Sequence, residues 1–145
     1  SKLKNLEDLH LFNNKISDIS VLGKLKNLRA LILQEDQINN ISILNELMNL
    51  EYLYLHSISA KDISSLIGLK RLEVLNICAS DISDISGLSD LENLKQLDLS
   101  LNQIVNISDL MKLKKLNKLV LRGNPIPKND PTIKKLEERG VKVEV

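Results

Sequence analysis

Several residue types that most folded proteins use are scarce in this sequence. Its 145 residues contain no Trp, one Phe, two Tyr and one Cys. A chain with so few aromatic rings has to fill its core with aliphatic side chains. The single cysteine, Cys78, excludes an internal disulfide framework and a cysteine-based zinc site. No run approaches the ~18 uncharged apolar residues of a membrane span, so membrane insertion is not expected.

The sequence also lacks an excess of charge of one sign. Its 20 Lys and Arg stand against 19 Asp and Glu, which gives a net charge of +1. Nucleic-acid binding requires a clustered basic excess, so this balance argues against a nucleic-acid partner. Residues 1–5 have no apolar stretch of the kind that a secretory signal contains. These observations leave a bacterial surface or secreted location and a cytoplasmic location open.

Leucine and isoleucine are abundant, with 30 and 16 residues, and they recur with a fixed period. A leucine opens a unit every 22 residues without slippage, and the unit begins L-x-x-L-x-L/I. The period of two in the L-x-L stretch predicts a short β-strand, and the rest of the unit is too short for a long helix. The opening leucines are Leu6, Leu28, Leu50, Leu72, Leu94 and Leu116.

Each of the first five units then carries a D/N-I-S triplet. We expect its serine to begin a short helical turn as the N-cap, because the hydroxyl of serine can accept a hydrogen bond from a backbone amide. The serines concerned are Ser20, Ser42, Ser64, Ser86 and Ser108.

The pattern resembles the leucine-rich repeat family in its 22-residue form, from about Leu3 to Ile126. It is similar to bacterial internalin repeats and to those of the leucine-rich regulatory subunit of protein phosphatase 1. The resemblance implies an α/β repeat fold, a right-handed leucine-rich-repeat solenoid (horseshoe) with a parallel β-sheet on the concave face and short helical turns on the convex face. It also implies a non-catalytic module that binds a protein partner and needs no cofactor. The Lys-, Ile- and Asn-rich composition favours a bacterial source.

The family places an asparagine in one column, where its buried amide bridges the backbones of neighbouring turns. Asn14, Asn102 and Asn124 match this column, and Asp36 and Ser80 are replacements that can still form hydrogen bonds. The third unit has Ile58 there, which cannot, and it has Ala60 where the other units have isoleucine. We therefore expect Ile58 to fill the space that Ala60 leaves, with a locally distorted turn.

The expected organisation is a repeat region over residues 1–127 and a C-terminal helix–strand cap over 128–145. The repeats comprise one partial unit, five full units that begin at residues 6, 28, 50, 72 and 94, and a last partial unit from 116. In the cap, Asp130 precedes a helix that starts at Pro131 and stops at Gly140, and residues 141–145 alternate as a strand. The N-terminal apolar edge has no such cap, so it indicates a fragment of a longer chain or edge-to-edge association.

Binding is expected on the outward side chains of the strands, because the inward columns are committed to packing. The three outward positions of each strand hold every aromatic residue, both histidines and the cysteine. An exposed apolar patch usually marks contact with a partner, and Tyr is enriched at binding hot spots. The alternative is that the rings only stiffen cross-strand packing. The predicted protein-binding residues are His10, Phe12, Ile32, Gln34, Tyr52, Tyr54, His56, Val74, Asn76 and Cys78.

Catalysis is not expected, although His56 and Cys78 share an outward column on adjacent strands. A Cys–His pair is a minimal activated nucleophile, but an open sheet offers neither an oxyanion donor nor a pocket that excludes water. His10 and His56 are too far apart to bind one metal ion. The remaining alternative is a scaffold or spacer inside a larger protein, an enzyme or a bacterial surface protein, whose activity lies outside these residues.

Overall fold

The computed structural model describes residues 3–12, 14–34 and 37–145. Its strands form one parallel sheet in chain order, so each new strand adds beside the previous one. The strands are β1 (Asp8–Phe12), β2 (Ala30–Gln34), β3 (Tyr52–His56), β4 (Val74–Asn76), β5 (Gln96–Asp98), β6 (Lys118–Val120) and β7 (Lys142–Glu144).

Short 3₁₀ helices lie opposite the sheet, one after each of the first five strands, and one α-helix follows β6. The predicted solenoid, with a parallel sheet on the concave face and short helical turns on the convex face, is confirmed. The 3₁₀ helices are Ser20–Lys24, Ser42–Glu46, Ser64–Gly68, Ser86–Asp90 and Ser108–Lys112, and the α-helix α1 is Pro131–Glu138.

The 22-residue period sets the register of the sheet. Leu31 of β2 lies between Leu9 of β1 and Leu53 of β3, and the inward leucines of the central strands are fully buried. Contacts between elements join neighbouring strands, neighbouring 3₁₀ helices, and α1 with β7 and with Ser108–Lys112. The core is therefore a single stack of aliphatic layers between the sheet and the helical turns.

The first layer of this stack is less well covered than the others. Leu6, Leu9, Leu11 and Ile16 are only partly buried, whereas their equivalents in the central units are fully buried. Leu3 has 59 % of its surface exposed. The described chain thus presents a partly open apolar edge at β1.

The prediction that the serine hydroxyl accepts the capping hydrogen bond is wrong. The serine is the first residue of each 3₁₀ helix, and its backbone N–H donates to the carboxylate or amide oxygen two residues earlier, at 2.8–2.9 Å. Asp and Asn favour this local turn because their short side chains reach the backbone two residues on. The accepting side chains belong to Asp18, Asn40, Asp62, Asp84 and Asn106.

These turns give the protein a specific acid sensitivity. The hydrogen bonds from the serine backbone and hydroxyl hold the carboxyl pKa values of Asp18, Asp62 and Asp84 below the ordinary 3.8. A depressed pKa in the folded state adds stability that is present above the unfolded-state pKa and is lost as the pH falls through the folded-state pKa. The solenoid should therefore weaken progressively below about pH 4.

We expect the triple variant Asp18→Asn/Asp62→Asn/Asp84→Asn to lose less thermal stability than the wild type between about pH 5 and pH 2. An asparagine accepts the same hydrogen bond at every pH, as the second and fifth turns already show with Asn40 and Asn106. Thermal unfolding measured across this range checks the prediction. The charge-matched variant Asp90→Asn/Glu92→Gln/Glu137→Gln should keep the wild-type slope, and equal slopes for all three proteins would contradict the role of the turns.

The asparagine column is confirmed in the C-terminal units. Asn102 is buried and accepts from the backbone N–H groups of Ser80 and Ile82 at 3.1 and 3.0 Å. Its amide donates to the carbonyl of Ile77 at 2.7 Å. Asn124 makes the equivalent bonds one unit later. These amides tie each turn to the one before it.

The column does not hold in the first unit. Asn14 is exposed and donates to the carbonyl of Phe12 at 2.9 Å, so its predicted burial is wrong. The open edge at β1 leaves no preceding turn for it to bridge among the described residues. Asp36 lies outside the described residues.

The third turn is not distorted, contrary to expectation. Ser57 has a φ of 53°, as Ala79 and Leu101 have 54° and 56° at the same place in the next two units. The backbone N–H of Ile58 donates to the hydroxyl of Ser80 at 3.3 Å, which is the bond that the column residue of one unit makes to the turn before it. Ile58 is buried, as expected of a residue that fills space in the core.

The C-terminal helix and strand form as the sequence indicates. The carboxylate of Asp130 accepts from the backbone N–H of Thr132 at 2.7 Å, and Pro131 occupies the first turn of α1. Gly140 follows the helix with a φ of +91°. Arg139 donates to the carbonyls at the end of the last 3₁₀ helix, at 2.7–2.8 Å. This arginine fixes α1 against the last unit, and the division at residue 127 stays a prediction.

A pair of glycines on the 3₁₀ helices should respond oppositely to substitution by alanine. A Cβ at Gly87 would lie 2.5 Å from Cδ1 and 2.7 Å from Cγ1 of Ile67, whereas a Cβ at Gly68 meets nothing within 4 Å. We expect Gly87→Ala to destabilise by about 1–2 kcal/mol and Gly68→Ala to stabilise by about 0.5 kcal/mol. Urea unfolding checks both, and the loss at Gly87 should shrink in an Ile67→Ala background. Equal effects at the two glycines would contradict this account.

Candidate binding surface

The concave face consists of the outward side chains of the seven strands, and the register aligns them in columns. His10, Ile32, Tyr54 and Asn76 form the central column from β1 to β4. The strand-start column contains Tyr52 beside Val74. The structure therefore brings together most of the predicted residues on one surface.

An aromatic patch occupies the first four strands of this face. Phe12 is 48 % exposed and Tyr52 is 37 % exposed, while Tyr54, Ile32 and Val74 are half-buried. We use the name aromatic patch for these five residues. None of them lies in the inward core, so the rings are available on the concave surface.

The remaining predicted residues of the first three strands surround this patch. His10 is exposed and its ring centroid lies 6.2 Å from that of Phe12. Gln34 is exposed at the end of β2, and His56 is half-buried at the end of β3. Gln34 and His56 form a polar margin on the side where the strands end, and His10 lies in the central column of β1.

Ion pairs border the patch on the side where the strands begin. Arg29 lies 2.8 Å from Glu51, and Lys95 lies 2.8 Å from Glu73. The hydrogen bond to Glu51 raises the pKa of Arg29, and the hydrogen bond to Glu73 raises that of Lys95, with a smaller effect of Tyr52 on both. Such exposed pairs add little stability, but they place paired positive and negative side chains along the margin of the patch.

The prediction that Cys78 is accessible to a partner does not hold. Only 8 % of its surface is exposed, although the backbone pairing continues past Asn76, with the N–H of Ser57 donating to the carbonyl of Cys78 at 3.0 Å. The Sγ atom lies 2.6 Å from Nδ1 of His56. Burial, and then the charge of Asp98, raises the pKa of the Cys78 thiol. At neutral pH the thiol is protonated, which is the reverse of an activated nucleophile.

A shallow depression of about 150 Å³ runs across the C-terminal half of the concave face. Tyr54 stands at one end and Lys118 at the other, with Val74 and Val120 as apolar walls. Asp98 also lines it, and its carboxylate accepts from the amide of Asn76 and from the backbone N–H and hydroxyl of Ser100 at 2.6–3.1 Å. The depression is too open to enclose a substrate, but it is large enough for a side chain of a partner.

This face also has a basic end that was not predicted from the sequence. Arg122, Lys142 and Lys118 surround a single carboxylate, Glu144, at 3.0, 3.6 and 4.0 Å. We use the name basic end for these three cations with Glu144. Three positive charges surround one negative charge, so the group has a net charge of +2.

This local excess belongs to a segregation of charge along the whole chain. Residues 112–145 contain ten Lys and Arg against four Asp and Glu, whereas residues 1–111 contain ten against fifteen. The totals nearly cancel, so the net charge of the chain conceals the difference. Counting charge by segment would have revealed it from the sequence.

Two further findings concern metals and membranes. Within residues 3–12, 14–34 and 37–145, no three His, Cys, Asp or Glu side chains come together as a metal site. In the same part of the chain, no helix is long and apolar enough to cross a lipid bilayer.

Comparisons with known proteins agree with this architecture. A family model described as leucine rich repeat matches residues 70–126, and one described as two copies of leucine rich repeats matches residues 4–46. No curated protein matches the sequence significantly.

Among solved structures, the chain is similar to internalin C2 of Listeria monocytogenes, with 31 % identity over 99 % of the chain and a TM-score of 0.85. It is similar to the internalin inlF of the same species, with 31 % identity over 98 % of the chain and a TM-score of 0.86. A leucine-rich repeat protein of Leptospira interrogans matches 99 % of the chain at 25 % identity, with a TM-score of 0.82. The chain spans 62 %, 42 % and 38 % of these three proteins, respectively.

Proposed function

The chain belongs to the leucine-rich repeat family, with internalin-like repeats, and on this basis we propose that its concave face binds a protein partner through the aromatic patch. Domains of this family are typically protein–protein interaction modules, and the internalin-like ones are generally non-enzymatic. The observation that supports the proposal most strongly is the exposure of Phe12 and Tyr52 on a sheet that leaves its outward face uncovered. Parallel sheets are otherwise covered on both faces.

The aromatic patch gains free energy when a partner covers it. Docking removes the exposed apolar surface of the rings from water, which favours binding. Because the surface is rigid and preformed, docking costs little conformational entropy. Tyr52 and Tyr54 present a phenol beside an apolar body, the combination that is enriched at binding hot spots. Cys78 is buried and is left out of the proposed contact surface. Catalysis has no part in the proposal.

The test is to pan a displayed peptide library on the wild-type protein and to measure the selected clones against two variants. We expect the clones to bind Tyr52→Ala/Tyr54→Ala at least about 100-fold more weakly than the wild type, since two hot-spot side chains are lost. The matched control, Val21→Ala/Val105→Ala, removes two exposed apolar side chains outside the concave face and should bind as the wild type does.

Circular dichroism of the double tyrosine variant separates binding from folding. A folded variant without binding supports the proposal. An unfolded variant would show that the rings serve cross-strand packing, and clones that bind all three proteins equally would place recognition elsewhere on the surface.

A scaffold role within a larger protein is the second candidate. It is favoured by the share of the matched structures that the chain spans, 38–62 % of their length, since those proteins contain further segments. A spacer has no need of an exposed aromatic patch, so panning that yields no concave-face clones would favour this role over the first.

A further inference from the structure

The aromatic patch and the basic end are connected. The depression on the concave face has Tyr54 of the patch at one end and Lys118 of the basic end at the other. These residues lie on β3 and β6, three strand spacings apart, which is about 14 Å. A segment of a partner that lies across the strands in this depression therefore contacts both regions.

The two regions favour different side chains. The patch offers an apolar surface, whereas the basic end has three cations around one carboxylate. The side chains of Lys118, Arg122 and Lys142 are 44–74 % exposed, so an incoming group can reach them without displacing the core. Among the residues that line the depression, Asp98 is the carboxylate that would repel an acidic side chain of the partner. Its oxygens already accept hydrogen bonds from Asn76 and Ser100.

The charge of the whole chain acts in the same direction. The segment 112–145 has an excess of six positive charges, and the segment 1–111 has an excess of five negative charges. A molecule with separated charges orients an approaching partner before contact, and it favours a partner with the complementary arrangement.

Resting on the proposed function, we propose that the partner is a protein with an extended segment that places an apolar side chain on the aromatic patch and an acidic side chain on the basic end. An extended chain covers about 14 Å in about four residues. The segment therefore carries its acidic residue about four positions from its apolar anchor. At the basic end, the carboxylate of the partner's acidic residue forms ion pairs with lysine and arginine side chains.

The probe is a short synthetic peptide with leucine and phenylalanine at one end, a Gly-Ser linker, and three glutamates at the other end. Its control has glutamine in place of each glutamate. We expect the glutamate peptide to bind the wild type about tenfold more tightly than the glutamine peptide at low salt, because each exposed ion pair contributes modestly. The difference should shrink several-fold at ~0.5 M salt, where exposed charges are screened.

Two charge-matched variants locate the effect. Lys118→Gln/Arg122→Gln/Lys142→Gln should abolish the preference for glutamate. Lys128→Gln/Lys134→Gln/Lys135→Gln removes the same charge from exposed lysines near the C-terminus and should keep most of it. Equal loss in both variants would show that only the overall charge matters, and it would overturn the proposal.

The binding of the two peptides and of DNA also tests the proposal of an acidic partner. Equal binding of the two peptides by the wild type, or no binding of either, overturns the acidic partner. A short DNA duplex that binds more tightly than the glutamate peptide at the same salt concentration would assign the basic end to nucleic acid instead. The proposed function is judged separately, because it falls if the tyrosine double variant retains binding of the panned clones or fails to fold, or if panning yields no concave-face clones.

Discussion

Replacement of Asn102 by alanine is expected to destabilise the protein by about 3–5 kcal/mol, because a buried group that loses its hydrogen-bond partner costs about 1–3 kcal/mol. The side chain serves several such groups at once. The N–H groups of Ser80 and Ile82 lose their acceptor, and the carbonyls of Ile77 and Leu99 lose a donor. Alanine brings no polar atom to any of them.

The matched control is Asn14→Ala, in the same column of the first unit. Asn14 is exposed, so water can replace the hydrogen bond to the carbonyl of Phe12, and we expect a loss below about 0.5 kcal/mol. Urea unfolding at low temperature gives both values, and hydrogen exchange at Ser80 and Ile82 reports the local effect. A loss below about 1 kcal/mol at Asn102 would show that water enters and satisfies the turn.

Truncation of the inward leucine column should give a graded series. Leu53→Ala in β3 removes a fully buried side chain, and we expect a loss of about 3 kcal/mol or more from lost burial and the cavity that remains. Leu9→Ala in β1 removes the equivalent side chain from the partly open first layer, and we expect about 1 kcal/mol, since less apolar surface is buried there.

The same unfolding measurements check the series, and Leu31→Ala in β2 should fall close to Leu53→Ala because it is already fully covered. Equal losses at Leu9 and Leu53 would mean that the first layer is covered in solution. Self-association of the protein at the β1 edge would be the first explanation to test, by sedimentation.

Periodicity made the fold predictable. A fixed spacing of 22 residues determines both which side chains face inward and which residues pair across strands, so Leu31 could be placed beside Leu9 and Leu53 before any coordinates were known. The helix after Asp130 and the stop at Gly140 were predictable because each rests on local backbone chemistry. The composition of the outward columns placed the aromatic residues on the concave face for the same reason.

Predictions that depended on which atom makes a hydrogen bond were less successful. The serine of the D/N-I-S triplet and the Asp or Asn before it are both good capping residues, and only the turn geometry selects the latter. Counting positions along the strand predicts the column that Cys78 shares with His56, and the contact between Sγ and Nδ1 agrees with it, but the count says nothing of how deeply the thiol is covered. A second amide column, in which Asn27, Asn49 and Asn93 donate to carbonyls of the preceding unit at 2.7–2.9 Å, has the same 22-residue or 44-residue spacing and was visible in the sequence.

The restriction of contacts to neighbouring layers has a mechanical consequence. A force applied at the two termini loads the layers in series, and among the elements that the structure describes no contact between distant ones shares that tension. The thinly covered β1 layer should yield first, and each further layer that detaches should release 22 residues, or about 70 Å of extended chain. Under load, the molecule would lengthen in equal steps from one end, while the layers beyond the break keep their binding surface intact.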